Sequence, residues 1–280
     1  MRLRIDLAYD GTDFRGWARQ PNLRTVQGTL ETAIARILGG DPRLVVAGRT
    51  DAGVHASAQV AHLDLTEGQE RRLLSGRHPE PRALAARING VLGPYPDVAV
   101  HRVDVAPEGF DARFSAVWRR YAYRIADRTT GYDPLERGRT TWVGASLDVA
   151  AMDAAARSLR GLHDFAAYCK PREEATTIRT LLEYGWRRDE SGILVASVKA
   201  DAFCHSMVRA LVGACVAAGE GRIEVGRVAE IRDELARTNE IKVLAARGLT
   251  LTEVGYPADE LLAARAEQTR ARRELDPPVA

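Results

Sequence analysis

Apolar and polar positions alternate from the start of the chain. Leu3, Ile5, Leu7 and Tyr9 fall on one side of an extended backbone, which predicts a strand from Arg2 to Tyr9. The next apolar set, Val26, Leu30, Ile34, Ile37 and Leu38, follows helical spacing. Thr25 is its expected N-cap and Gly39-Gly40 its stop. Leu44 to Ala47 and Ala58 to Leu65 read as strands, Ala83 to Leu92 as a helix, and Val98 to Val105 as a further strand. Between them, Thr66 to Arg82 is polar, charged and Pro-bearing, which predicts an inserted surface loop.

Around Phe110 to Phe114 the pattern restarts. Val117, Tyr121, Tyr123 and Ile125 alternate along one face of a strand. Ser146 is expected to cap a helix that runs through Leu159 and is closed by Gly161. Strands follow near Leu181–Arg188 and Ile193–Ala200, helices near Ser206–Ala218 and Val225–Ala236, and a strand over Leu249–Val254. From Asp259 a charged helix is expected to fray into the final LDPPVA. Several neighbouring strands have connections too short for a crossover, so they must pair antiparallel. That predicts an α+β fold rather than a doubly wound parallel sheet. The expected division is 1–110, 111–258 and a tail over 259–280.

Composition narrows the class. The chain has 280 residues, 45% hydrophobic and 28% charged. At roughly 150 residues per domain this means two domains or one large one. It excludes a disordered or collagen-like chain. No apolar run is long enough for a membrane span, and the start lacks the apolar core of a signal peptide. The three cysteines, Cys169, Cys204 and Cys215, form no CxxC pair, so a reducing, cytosolic chain without disulfide or zinc is expected.

The net charge of +2 carries no message by itself. Only three of the forty basic residues are Lys, which suits codon bias and suits bidentate phosphate contacts alike. Between positions 15 and 49 the chain carries Arg15, Arg19, Arg24, Arg36, Arg43 and Arg49 against Glu31 and Asp41. This is a candidate phosphate footprint or a solvated face.

Candidate chemistry centres on GRTDAGVH, Gly48 to His55. An apolar strand runs into a loop with glycine on both sides, which permits a tight turn and close approach of a ligand. Asp51 is displayed there, with Arg49 two residues earlier. The alternative is an Asx turn, in which Asp51 only bonds nearby backbone. Tyr121 lies in WRRYAYRI, where an aromatic among arginines suits base stacking, or else is the core face of an amphipathic strand. Tyr123 shares its side and reads as core. Arg209 stands early on an apolar helix and either snorkels to solvent or pairs with a buried acid. The chain has no GxxxxGK[ST], GxGxxG or HExxH and no zinc-deaminase pattern, so no cofactor and no metal is expected.

At GRTDAGVHA the sequence resembles the TruA family of tRNA pseudouridine synthases. YDGTDFRGW, TVQGTLETAI, GRTDAGVHASAQVAHLD, DARFSAVWRRYAYRI, GLHDFAAY, TTIRTL and AFCHSMVRALVG match in order over nearly the whole chain. Ala18-Arg19 and Ala245-Ala246-Arg247 depart from the family's usual GWQxQ and APxxGL. The resemblance implies a pseudouridine synthase fold of two ferredoxin-like α+β halves whose antiparallel sheets join around a central cleft. It implies a cytoplasmic homodimer that takes the anticodon stem-loop of tRNA and isomerises uridine at positions 38, 39 and 40. It implies Asp51 as nucleophile on a flipped base, Tyr121 stacking on the uracil, and Arg209 as partner of the aspartate. Arg49 would fill the vacated space or hold phosphate, and Leu249 would close the pocket. Two rival classes remain: a non-catalytic RNA-binding module, and a glycosidic hydrolase. The second would need two carboxylates roughly 5 to 9.5 Å apart, and GRTDAG supplies one.

Overall fold

The computed structural model describes residues 1–75, 79–94, 96–171 and 176–270. The chain forms two units, one built from Met1–Val117 with the described residues from Leu251 on, the other from Trp118–Thr250.

In the first unit, β1 (Arg2–Tyr9) buries Leu3, Ile5, Leu7 and Tyr9 and leaves the alternate row half-buried, as its period of two requires. Helix α1 (Val26–Leu38) is capped by Thr25 Oγ1, which accepts from Gly28 N at 3.3 Å. It ends where Gly39 takes φ 72°. β2 (Leu44–Val46) and β3 (His55–Asp64) follow, then α2 (Glu67–Leu74), α3 (Pro81–Leu92) and β4 (Val98–Val105). The strand order β4-β1-β3-β2 is that of a ferredoxin-like sheet, and every pairing in it is antiparallel. Helix α3 packs on β4 through Leu84 and Ile88, and the Asn89 side chain meets both backbone groups of Val100 at 2.8 Å.

Helix α2 corrects the expectation of an inserted loop over Thr66–Arg82, of which residues 76–78 lie outside the described residues. Thr66 Oγ1 accepts from Gln69 N at 3.3 Å while Gln69 Oε1 accepts from Thr66 N at 3.1 Å. This reciprocal cap, with Gln69 and Leu73 buried, organises a helix that is otherwise mostly exposed. Pro81 opens α3 as its first residue, where its missing N–H costs nothing.

The second unit is again a sheet combined with helices. It contains β5 (Trp118–Ala126), β6 (Thr141–Trp142), α4 (Val149–Ser158), β7 (Gly161–Asp164), β8 (Ile178–Arg188), β9 (Leu194–Ala200), α5 (Met207–Gly219) and α6 (Arg227–Asp233). The sheet runs β5-β9-β8-β7, all antiparallel, with β6 added parallel to β5. Asp148, not Ser146, caps α4, accepting from Ala150 N and Ala151 N at 2.8 and 3.1 Å. Helix α6 is shorter at both ends than Val225–Ala236. Finally, β10 (Leu249–Gly255) and α7 (Leu262–Arg270) complete the described chain. Leu262 packs in a cluster with Ala47, Val60, Phe110 and Ala112, so α7 begins anchored. The expected frayed LDPPVA end lies outside the described residues.

A second correction concerns cysteine. Cys169 and Cys204 form a disulfide with Cα atoms 5.8 Å apart, where none was expected. Their sequence separation of 35 gives no signal, because the proximity comes from strand order. Both β7 and β9 pair antiparallel with β8, so the segments that follow them leave the same end of the sheet. Lys170 N donating to His205 O at 2.9 Å holds those segments together. Cys215 stays free and buried, and burial pushes its thiol up to about 12.

Nearly every residue of α5 is buried, and Gly213 on it lies against the backbone of Lys242, where a Cβ would sit 1.8 Å from the carbonyl oxygen. Gly213→Ala is expected to destabilise the protein by about 1–3 kcal/mol, since a backbone segment must move to admit one methyl. A denaturant melt of the variant checks this.

Candidate active site

The GRTDAGVH loop leaves β2 and returns as β3. Ala47 N donates to Val60 O at 2.8 Å, the last ladder contact before the chain turns away. Asp51 is half-buried and Arg49 exposed. Val54 N donates to Asp51 O at 3.2 Å, closing a turn in which Gly53 takes φ 77°. The segment Asp10–Trp17 lies along this loop. Trp17 N donates to Thr50 O at 3.0 Å and Gly53 N to Phe14 O at 3.2 Å. A Cβ on Gly11 would lie 2.0 Å from Val54 O, and one on Gly16 2.9 Å from Thr50 O. Glycine is required at both positions by this close backbone approach. His55 is buried, and its Nδ1 accepts from Gly11 N at 3.0 Å.

Beneath the loop runs a buried polar chain. Gln59 Nε2 donates to Gly48 O at 2.9 Å and to Tyr9 Oη at 3.1 Å. Tyr9 Oη is in turn 2.8 Å from Thr50 Oγ1. Since Tyr9 Oη accepts from Gln59, its own proton is available to Thr50. Burial pushes the Tyr9 phenol up to about 12, so it stays neutral. Leu7 pairs with Gln59, and Tyr9 follows Leu7 by two residues, so Tyr9 and Gln59 are diagonal neighbours on one face of the β1–β3 pair. A bulge between Leu7 and Tyr9, where β3 spends one more residue than β1, lies beside them. Sequence reasoning read Tyr9 only as strand core and passed over Thr50 and Gln59. The available signal was a glutamine on the buried face of β3, just before the apolar Val60-Ala61.

The second unit holds Tyr121, Arg209 and Leu249. Tyr121 on β5 is buried, and its ring meets Phe203 edge-on at 5.1 Å and 89°. The flanking arginines are engaged within the protein. Arg119 Nη1 donates to Asp201 O at 2.9 Å, and Arg120 Nη1 to Glu183 Oε2 at 2.7 Å. Tyr123 is wholly buried, as read from alternation, and donates to Ala245 O at 2.7 Å. At the start of α5, Ser206 is held at φ 65°, a left-handed conformation unusual for serine. Arg209 Nη2 donates to Ser206 Oγ at 3.1 Å and Nη1 to Leu244 O at 3.4 Å. Leu244 N returns a bond to Arg209 O at 3.2 Å. Further along, Gly248 lies under the Tyr123 ring, where a Cβ would come within 2.7 Å, and the buried Leu249 starts β10. Arg209 and Leu249 are therefore held by one segment folded round Tyr123.

The arginine cluster of the first unit is partly neutralised. Arg24 makes a bidentate pair with Asp97, Arg43 binds Asp41 at 2.6 Å, and Arg19 lies 3.6 Å from Glu31. Among the described residues Arg15, Arg36 and Arg49 make no ion pair with an acidic side chain, while the other three arginines of the cluster do. No group of three or more His, Cys, Asp or Glu among the described residues is placed to hold a metal ion.

Comparisons with known proteins bear on the class. A family model described as tRNA pseudouridine synthase matches residues 155–257. The tRNA pseudouridine synthase A of Leifsonia xyli is 62% identical over 282 residues, covering 98% of each chain. That of Frankia casuarinae is 54% identical, covering 98% of this chain and 96% of its own. That of Streptomyces griseus is 51% identical, covering 98% and 95%. The chain belongs to the tRNA pseudouridine synthase A, or TruA, family. As a member it is an isomerase of the kind that converts uridine to pseudouridine. No helix among the described residues is long and apolar enough to cross a membrane.

Proposed function

We propose that the chain isomerises uridine to pseudouridine at positions 38, 39 and 40 of the tRNA anticodon stem-loop, acting in the cytoplasm as a homodimer. The observation that carries the reading is Asp51 itself. It projects from a strand-end loop whose residues on both sides are fixed by backbone bonds to the Asp10–Trp17 segment. A carboxylate so placed suits covalent chemistry on a base brought to it.

The reaction breaks the bond from N1 of uracil to C1′ of the ribose, turns the base, and joins C5 to C1′. The C5 proton leaves and N1 gains one, so atoms and electrons balance without an added reagent. Asp51 attacks as the nucleophile or takes up the proton once the glycosidic bond is open. Arg209 is its charge partner, because a guanidinium beside a carboxylate keeps it ionised in a closed pocket. Tyr121 stacks on the uracil, Arg49 fills the space the base leaves or holds phosphate, and Leu249 closes the pocket. Extruding a base costs a few kcal/mol. A stack of about 1–3 kcal/mol on Tyr121 offsets much of that.

Incubation of the purified protein with anticodon arms, followed by mass-spectrometric mapping, tests the reading. Pseudouridine confined to positions 38–40 is the expected result. Free uracil would instead make the protein a glycosidic hydrolase, and binding without any product a passive RNA-binding module.

A further inference from the structure

We propose that Tyr9, Thr50 and Gln59 are positioning residues for the reaction, and that their buried hydrogen-bond chain sets the location of the Asp51 carboxylate. The inference rests on the reading of Asp51 as nucleophile and goes beyond it.

Three observations carry it. The chain of bonds reaches the residues leading into the aspartate at two points: Gln59 holds the backbone carbonyl of Gly48, and Tyr9 holds the side-chain hydroxyl of Thr50, the residue immediately before Asp51. All three side chains are buried, with Gln59 at 0% exposure, so water does not compete for these bonds. And Tyr9 and Gln59 share one face of the β1–β3 pair, because Leu7, two residues before Tyr9 on β1, is the cross-strand partner of Gln59. Packing alone would be served by an apolar residue at 59, since the neighbouring Val60 and Ala61 are buried apolar residues. Gln59 Oε1 accepts from Val60 N at 3.2 Å, so the amide orientation is fixed and its N–H groups point at Gly48 and Tyr9.

Thr50 is then held twice. Its carbonyl accepts from Trp17 N at 3.0 Å, and its hydroxyl is fixed by Tyr9 at 2.8 Å. With Val54 N closed onto Asp51 O, the aspartate keeps only its side-chain torsions. Removing the Thr50 hydroxyl leaves Thr50 held by its carbonyl alone, which loosens the residue before Asp51 and lets the carboxylate drift.

The test uses two variants that keep shape: Thr50→Val, and Tyr9→Phe, whose ring still packs 6.1 Å from Trp17. Displacement of a reacting group by about 1 Å costs up to about 100-fold, so each is expected to lower the single-turnover rate by about 10- to 100-fold. The KM for tRNA should change by less than about twofold, since the lost interaction is made only towards the reacting group. Thr50→Ser, which returns the hydroxyl, should recover most of the rate. Asp51→Asn is measured alongside. If it is inactive while Tyr9→Phe and Thr50→Val react at the wild-type rate, the positioning role is overturned and the nucleophile stands. If Asp51→Asn itself turns over, the nucleophile reading has failed. A fall in melting temperature with an unchanged rate per folded molecule makes the chain a structural brace and also overturns the proposal.

Discussion

Asp51→Asn is expected to abolish pseudouridine formation while leaving tRNA affinity close to that of the unchanged protein. The two side chains are nearly isosteric, so the substitution removes the negative charge and the attacking oxygen without opening a cavity. The loop takes its shape from bonds that the substitution leaves in place. Its turn is closed by the Asp51 carbonyl, its flanks by Trp17 N, Phe14 O and the Gly48 carbonyl, and its floor by Tyr9 and Gln59. An amide at 51 therefore stands where the carboxylate stood. It cannot form the covalent intermediate, and it is far too weak a base to take up a carbon-bound proton. Loss of a nucleophile from a preformed site costs on the order of 10^4-fold or more in turnover. Tritium release from C5-labelled tRNA measures the chemistry, and filter binding measures affinity. Turnover within tenfold of the unchanged protein would remove Asp51 from the reaction. Loss of both binding and turnover would show that the loop needs the charge to hold its shape.

The legibility of this site in the sequence was uneven, for physical reasons. Asp51 stood out because glycines bracket it after an apolar strand, and a strand-end turn with little side-chain bulk is where a reacting group can be displayed to a ligand. Arg209 stood out as a charge on an apolar helix. Tyr9, Thr50 and Gln59 did not, because their association spans 41 and 50 positions and depends on the β1–β3 register. Local alternation shows which face a residue takes but not which residue of another strand lies beside it. The fold was readable where burial imposes a period. β1 shows its two-residue period plainly, and α1 shows its cap and its glycine stop. Elements stabilised by other means were not. α2 needs one buried leucine and a reciprocal cap, β6 has only two residues, and the Cys169–Cys204 proximity follows from two strands sharing a neighbour.

Asp127→Asn is expected to cost about 3 kcal/mol of folding stability at pH 7, the low end for breaking a buried pair. Asp127 follows β5 and is wholly buried, while its partner Arg188 at the end of β8 is 26% exposed and so recovers some hydration. The carboxylate takes both guanidinium nitrogens, at 2.6 and 3.1 Å, a bidentate geometry that an amide cannot reproduce. It also accepts from Leu147 N at 2.9 Å and Thr130 N at 3.1 Å. One side chain thus ties the turn after β5, the approach to α4 and the β8–β9 hairpin. Burial alone would raise the Asp127 pKa. The Arg188 guanidinium and the two backbone N–H groups outweigh it and hold the carboxyl well below the usual carboxylate range. With the folded pKa depressed, the folded state binds fewer protons than the unfolded chain. The contribution is therefore complete above the unfolded value of about 3.9, and is lost as pH falls from there through the folded pKa. Urea melts of the two proteins should differ by the same amount at pH 7 and pH 5. The gap should narrow by up to about 1.4 kcal/mol per pH unit below about pH 4. A gap that stays constant down to pH 3 would mean that shape, and not the charge of Asp127, supplies the stability.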